Sequence, residues 1–302
     1  MTLTPRFGIF LDPTAGDPRE PFRIAKIADE NGLDLLTIQD HPYQWRFYET
    51  WTLLTALATA TERIHVSTNV ANLPLRPPAI LAKQAATLDV LTGGRVELGL
   101  GAGSFWQAIV AYGGPQRTPG EAYAAFEDAL HILRGMWENT GGKSFTYKGT
   151  IYEVKGAKPG PAPAHRIPIW VGALGPKMLR LTGRMADGLI ISHSYIPPEN
   201  LPQFNALIDE GASEAGRSPD EIRRGYNVGG YIRPGSGSVG AAASQGGIDG
   251  TAGYWVDQLV RFYSEYRQDT FIFWGGGDVA EQLTRFAQEV VPAVKERVGV
   301  TV

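Results

Sequence analysis

The stretch Arg6-Phe7-Gly8-Ile9-Phe10-Leu11-Asp12-Pro13-Thr14-Ala15-Gly16 decides between two architectures. Its first six residues are a short apolar run, read as a strand. Pro21 to Asn31 follows with Phe22, Ile24, Ala25, Ile27 and Ala28 at helical spacing, and Gly32 stops it. A strand feeding a helix opens either a doubly wound sheet or a closed barrel. A dinucleotide-binding sheet needs a glycine fingerprint directly after this strand, because the backbone must approach a pyrophosphate there, and Leu11 to Gly16 lacks it. The barrel is the preferred reading.

The same alternation repeats outward from that unit. Leu33 to Ile38, Ile64 to Thr68, Arg95 to Leu100, Ile169 to Gly172, Gly188 to Ser192, Arg224 to Ile232 and Thr270 to Trp274 read as strands. Between and after them, Trp51 to Thr61, Ala79 to Leu91, Glu121 to Asn139, Lys177 to Met185, Leu201 to Ala215, Thr251 to Arg267 and Val279 to Val294 read as helices. Eight strands alternating with helices predict an α/β (β/α)8 TIM barrel, with residues 1–302 as a single domain. Two insertions interrupt it, around 140–166 and 233–250. In the first, Phe145 to Glu153 predicts a hairpin, and the proline-rich Lys158 to Pro168 leads back to the next strand. In the second, Arg233 to Gly247 is rich in glycine, serine and alanine without apolar periodicity, which predicts a mobile loop near the site.

Composition narrows the chemistry. The 302 residues are 43% hydrophobic and 20% charged, enough for a substantial core in one large barrel. A formal net charge of -3 offers no electrostatic footprint for nucleic acid or an anionic membrane. With no cysteine there is no thiolate metal site and no cysteine nucleophile, so redox chemistry would have to come from a cofactor. Neither an HExxH metal motif nor a GxSxG elbow occurs, and no metal is expected. Met1 to Phe10 does not resemble a secretory signal and no apolar run reaches membrane-spanning length, which predicts a cytoplasmic protein acting on a small molecule.

In such a barrel, residues just past the C-terminal ends of the strands converge on one mouth. After the second strand stand Asp40, His41 and Trp45, an acid, an imidazole and a large aromatic suited to proton transfer beside a planar ring. A solvated loop pair would read the same way. Asn69 and Val70 follow the third strand, where small and amide side chains can approach a flat ligand. After the fourth, Gly99 to Ser104 would let backbone N–H groups come close. Gly172-Ala173-Leu174-Gly175-Pro176-Lys177 opens directly into a helix and is the strongest phosphate-site candidate, although a tight packing turn would explain it too. His193 follows the sixth strand within reach of the mouth, whereas His65, His131 and His165 read as structural.

These residues, in this order, resemble the luciferase-like superfamily: Asp40-His41, Asn69-Val70, Leu91-Thr92-Gly93-Gly94-Arg95 through Gly103, and Ile169-Trp170-Val171-Gly172-Ala173 through Gly188. Gly175-Pro176-Lys177 and Ala186-Asp187-Gly188 look especially like members that use the deazaflavin coenzyme F420. That resemblance implies a (β/α)8 barrel with insertions, a homodimer, and a non-proline cis peptide between Asn69 and Val70 behind the ring. It implies that Asp40 contacts the deazaflavin, that His41 gives or takes the substrate proton, and that Trp45 lines the reacting centre. Gly101, Gly103, Gln107 and His193 would lie along the cofactor, and Gly172, Ala173, Leu174, Gly175 and Pro176 would receive its phosphate.

The chain departs from the sugar-phosphate dehydrogenases of that branch, with Ser104 where they carry a catalytic glutamate and Tyr195 near their phosphate-binding lysine. It also has Phe10 where methylene-tetrahydromethanopterin reductases place a glutamate. The expected substrate pocket, Phe10, Trp45, Ser104, Phe105, Trp106, Tyr195 and Trp274, is instead aromatic and suits an apolar or aromatic organic molecule, an alcohol, ketone or activated alkene, although core packing would use the same rings. Two alternatives keep the barrel: a reduced-FMN and oxygen-dependent monooxygenase, and a non-catalytic flavin-binding protein.

Overall fold

The computed structural model describes residues 3–243 and 246–300. Its core is a closed barrel of eight parallel strands: β1 (Arg6–Leu11), β2 (Leu35–Ile38), β3 (His65–Thr68), β4 (Val96–Gly101), β5 (Ile169–Gly172), β6 (Gly188–Ser192), β7 (Arg223–Arg233) and β8 (Thr270–Gly275). Each pairs with the next in sequence, and β8 closes on β1 with Arg6 opposite Thr270. The principal outer helices are α1 (Glu20–Glu30), α2 (Thr50–Thr59), α3 (Pro78–Leu91), α4 (Trp106–Ala111), α5 (Pro119–Glu138), α6 (Pro176–Met185), α7 (Leu201–Glu214), α8 (Ala252–Tyr266) and α9 (Val279–Arg285). Strands such as β1 and β6 read as near-continuous apolar runs because both of their faces are covered.

Inside the barrel, Phe10, Leu35, Trp170, Ile190 and Ile272 form a separate apolar layer. Trp170 fits there because Gly188 gives way to it; a Cβ at Gly188 would lie 2.4 Å from the indole. Below this layer sits a buried ionic network. Glu97 accepts from Arg6 and from the Trp170 indole N–H, each at 2.6 Å, and lies 3.2 Å from His65 Nδ1. Burial alone would raise the Glu97 pKa, but these partners outweigh it and bring it down to about 2.

Three segments differ from the sequence reading. β2 begins at Leu35, two residues late, because the Leu33 N–H still bonds back to Ala28 of α1 and the Asp34 carboxylate accepts from the Phe7 N–H. The insertion hairpin pairs Phe145–Lys148 with Glu153–Ala157, so its second strand starts where the first reading ended it. The reason is Asp128 on α5, whose carboxylate collects the N–H groups of Thr150, Ile151 and Tyr152 and holds them as a turn. The 233–250 segment is not structureless: Gly240–Ala242 pairs antiparallel with Ile248–Thr251, which continues beside the upper end of β7. Ser244 and Gln245 lie outside the described residues. Among the described residues, no helix is long and apolar enough to cross a membrane.

Candidate active site

The C-terminal mouth is divided into two hollows. The first, of about 310 Å³, is walled by residues that follow β2 to β5, among them Asp40, His41, Tyr43, Val70, Gly101, Phe105, Gly172 and Leu174. The second, of about 350 Å³, is walled by Ser192, Ser194, Asn227, Asp249, Trp274 and a group of glycines from β6 to β8 and the 240–251 hairpin. A larger groove of about 590 Å³ lies outside the barrel between α2 and α3, away from the strand ends.

The floor of the first hollow is built from missing side chains. The peptide Asn69–Val70 is cis, and Val70 projects beside three glycines. A Cβ would stand 2.7 Å from Val70 at Gly101, 2.9 Å at Gly172 and 3.1 Å at Gly99. Val70 is therefore hemmed on its strand side and presents a smooth apolar shelf on the other. The helix α6 opens at this shelf with Gly175 as its N-cap, and no side chain caps its first N–H groups.

Above the shelf, His41 lies against Phe105, ring centroids 5.4 Å apart, with its Nδ1 3.3 Å from the Tyr43 hydroxyl. Burial moves the His41 imidazole below its ordinary pKa, against the pull of Asp40. The Tyr43 phenol is pushed up to about 12, mainly by burial and then by Asp40, so it stays a donor at neutral pH. Asp40 is nearly inaccessible and both of its oxygens are in use. Oδ2 accepts from the Asn72 N–H at 2.8 Å and Arg76 Nε at 2.6 Å, and Oδ1 from Arg76 Nη2 at 2.7 Å.

Between the hollows, the Asn69 amide donates to Thr37 Oγ1 at 3.2 Å and to Asn227 Oδ1 at 2.8 Å, and Asn227 in turn donates to Ser192 at 3.0 Å. This amide chain joins opposite walls of the barrel. Asn227 and Arg76 were not among the residues expected from sequence; Asn227 had only its place in a glycine-rich strand to mark it, and Arg76 had no local signal.

The structure thus brings together Asp40, His41, Asn69, Val70, Gly101, Gly103, Ser104, Phe105, Gly172, Ala173 and Leu174. Phe10 stacks on Trp274 at 4.9 Å, and Trp274 lines the second hollow. Several expected residues stand elsewhere. Trp45 is 83% exposed in the turn after His41, under the Arg46 guanidinium, and lines neither hollow. Tyr195 is 71% exposed on the turn after β6. Trp106 and Gln107 belong to α4, which carries Gln107 to the surface. Gly175 and Pro176 form the α6 cap just beyond the walls. His193 turns away from the mouth to pack on Tyr226 and Phe262, at 5.4 and 5.8 Å, and burial lowers its pKa.

A parallel β/α barrel with an imidazole over a glycine-lined shelf at its C-terminal mouth defines a class of ligand-binding barrel whose chemistry sits at the strand ends. Residues 2–288 match the family described as luciferase-like monooxygenase, and the chain belongs to that family. It is 32% identical over 228 residues to an F420-dependent glucose-6-phosphate dehydrogenase of Microbacterium testaceum, covering 74% of this chain and 67% of that one. It is 34% identical over 198 residues to a 5,10-methylenetetrahydromethanopterin reductase of Archaeoglobus fulgidus, covering 65% and 55%. The chain thus spans between about half and two thirds of these relatives' lengths. Among solved structures, an F420-dependent secondary alcohol dehydrogenase bound to an F420-acetone adduct superposes with a TM-score of 0.85 at 22% identity, covering 97% of this chain and 99% of that one, which bears on the fold.

Proposed function

We propose that this chain is a deazaflavin (F420)-dependent oxidoreductase acting on a small, uncharged organic substrate. The observation that carries the reading is the shelf: Val70 hemmed by Gly99, Gly101 and Gly172 suits a flat ring, and the uncapped start of α6 beside it suits a phosphate. The residues fit the group. When bound, the deazaflavin would supply hydride transfer to or from a substrate carbon. Val70 would back the ring, Gly101, Gly103 and Ala173 would admit it closely, and the N–H groups after Gly175 would face its phosphate.

The rest is done by the chain's own side chains. Because burial favours neutral His41, its Nε2, with Nδ1–H directed to the Tyr43 hydroxyl oxygen, can take the proton of a substrate alcohol and become the imidazolium. In the reverse direction that imidazolium gives the proton to a substrate carbonyl oxygen. Phe105 and Trp274 offer ring faces that exclude water.

Among the described residues no lysine or arginine lines the second hollow, and its one carboxylate, Asp249, is held by Arg233 at 2.7 Å. This supports an uncharged alcohol, ketone or activated alkene over a phosphorylated sugar. The names of the F420-dependent relatives favour deazaflavin over FMN. The resemblance also implies a homodimer, for which the outer groove offers exposed Ile80 and Leu91; sedimentation velocity would test that. The central test is titration of the cofactor-free protein with F420 and, separately, FMN, followed by hydride-transfer assays on secondary alcohols and ketones. Tighter F420 binding with turnover of a neutral substrate is expected; preference for FMN with oxygen consumption would overturn the proposal.

A further inference from the structure

Arg76 does not line either hollow, yet it ties together the loops that carry the first hollow's residues. Its guanidinium is largely buried and clasps both Asp40 oxygens. Its Nη2 also reaches Glu49, the N-cap of α2, whose carboxylate accepts from the N–H groups of Trp51 and Thr52. Burial on its own would lower the Arg76 pKa, but Asp40 and Glu49 hold it above its ordinary value. One side chain therefore joins three elements: the loop after β2 that carries His41, the loop after β3 that carries the shelf, and the start of α2.

The charged and titratable groups around His41, among the described residues, are few. Asp40 precedes it, Tyr43 touches its Nδ1, and Phe105 covers it from the segment after β4. Asn72 and Arg76 reach Asp40 from the loop after β3, and Glu49 lies beyond Arg76. Asp40 is thus the anion that acts on His41, and Arg76 is the cation that compensates it.

We propose that Arg76 is a positioning residue for the reacting site, fixing and charge-compensating Asp40 behind His41 without touching the ligand space. A purely structural arginine would support the fold and leave His41's proton equilibrium alone. A charge-compensating one governs it, because an uncompensated carboxylate draws a proton onto the neighbouring imidazole. The inference rests on the proposed role of His41 only for its consequence in turnover; the effect on titration stands independently.

The test is an NMR pH titration of the His41 ring protons, which a His41→Gln spectrum identifies among the five histidines. In Arg76→Gln the His41 midpoint should rise by roughly one to two pH units, the effect of losing a unit charge roughly 7–12 Å away at an effective dielectric near 20. The double variant Asp40→Asn/Arg76→Gln, which removes both charges, should bring it back toward the wild-type value. A folded Arg76→Gln protein with an unmoved midpoint would overturn the proposal. If Arg76→Gln does not fold, Asp40→Asn decides instead: leaving Arg76 uncompensated should lower the midpoint, and an unchanged value overturns the idea. Should the midpoints move as expected while His41→Ala retains full turnover, Arg76's role stands and the catalytic reading of His41 falls.

Discussion

Replacing Gly101 by alanine tests the shelf directly. A Cβ there would stand 2.7 Å from Val70 Cγ2, with its next neighbour, the Ala71 carbonyl oxygen, at 3.7 Å. Carbon atoms pack at about 3.5 Å or more, so Val70 must yield by about 0.8 Å. It cannot retreat toward Gly99 or Gly172, where it is already close to the backbone, and the open direction is the hollow that it lines. Overpacking of this size costs about 1–3 kcal/mol, and here that energy would be taken from ligand binding because the displaced methyl occupies the ring's place. The F420 dissociation constant should therefore rise by roughly 5- to 150-fold. Fluorescence titration reads this, and thermal unfolding of the free protein should move little, since Val70 has somewhere to go. The double variant Val70→Ala/Gly101→Ala removes the overlap and should recover most of the affinity. Unchanged binding in Gly101→Ala, or no recovery in the double variant, would show that Val70 does not back the cofactor.

His41→Ala should lower single-turnover hydride transfer by on the order of 10²–10⁴ while leaving F420 affinity nearly unchanged; near-normal turnover would remove it from the mechanism. Gly175→Asp places a good N-cap residue at the start of α6, so thermal stability should hold or rise slightly while F420 affinity falls through repulsion of the phosphate; equal affinity would argue against an anion at this helix. Glu97 is ionised in the fold with its pKa brought from 4.5 to about 2, so the stabilisation is present above pH 4.5 and is lost as the pH falls from there toward 2. That window is worth up to about 3 kcal/mol, and urea denaturation at a series of pH values should show the gap between wild type and Glu97→Gln narrowing across it. His41 and His193, whose pKa values are lowered by burial, add a separate loss of stability as the pH falls below their ordinary value of 6.5 and they are forced to charge.

Strands of a parallel barrel announce themselves because both faces are buried, and β1, β4 and β6 could be placed almost to the residue. The first hollow was legible for a related reason: its walls are short runs directly following strands, so Asp40-His41, Asn69-Val70 and Gly101 to Ser104 are local in sequence as well as in space. What sequence could not provide was side-chain direction in the turns. Trp45 stands four residues past His41, but the chain turns outward between them, and His193 follows a strand end while its ring folds back under α8. Nor could it provide contacts made by closure. Asn69 and Asn227 are 158 residues apart and meet only because β7 lies across the barrel from β3. Arg76 and Asp128 are of the same kind: single charged residues whose importance comes from backbone groups and carboxylates far along the chain.

Both hollows are framed by glycines, but they differ in the side chains they present, and this bears on how such a barrel accommodates change. The first is shaped by backbone: a Cβ at Gly101 or Gly172 would crowd Val70, and one at Gly99 would fall 2.0 Å from the Thr68 carbonyl oxygen. Variation there collides with the main chain or with the shelf, which suits a site that holds one rigid ligand. The second adds Ser192, Ser194, Asn227 and Trp274 to glycines such as Gly230 and Gly247, where a Cβ would meet backbone oxygens at 1.9 and 2.6 Å, and is completed by the hairpin paired to the upper end of β7. Those four side chains can be exchanged without moving a strand, whereas the glycines beside them cannot. The Asn69–Asn227 pair is the seam between the halves, so substitutions on the Asn227 side can alter what enters the second hollow while Val70 and its glycines keep the first unchanged. The Arg6–Glu97–Trp170 network beneath is coupled to the mouth, because Trp170 belongs to the apolar layer on which Val70 packs and whose Phe10 stacks on Trp274.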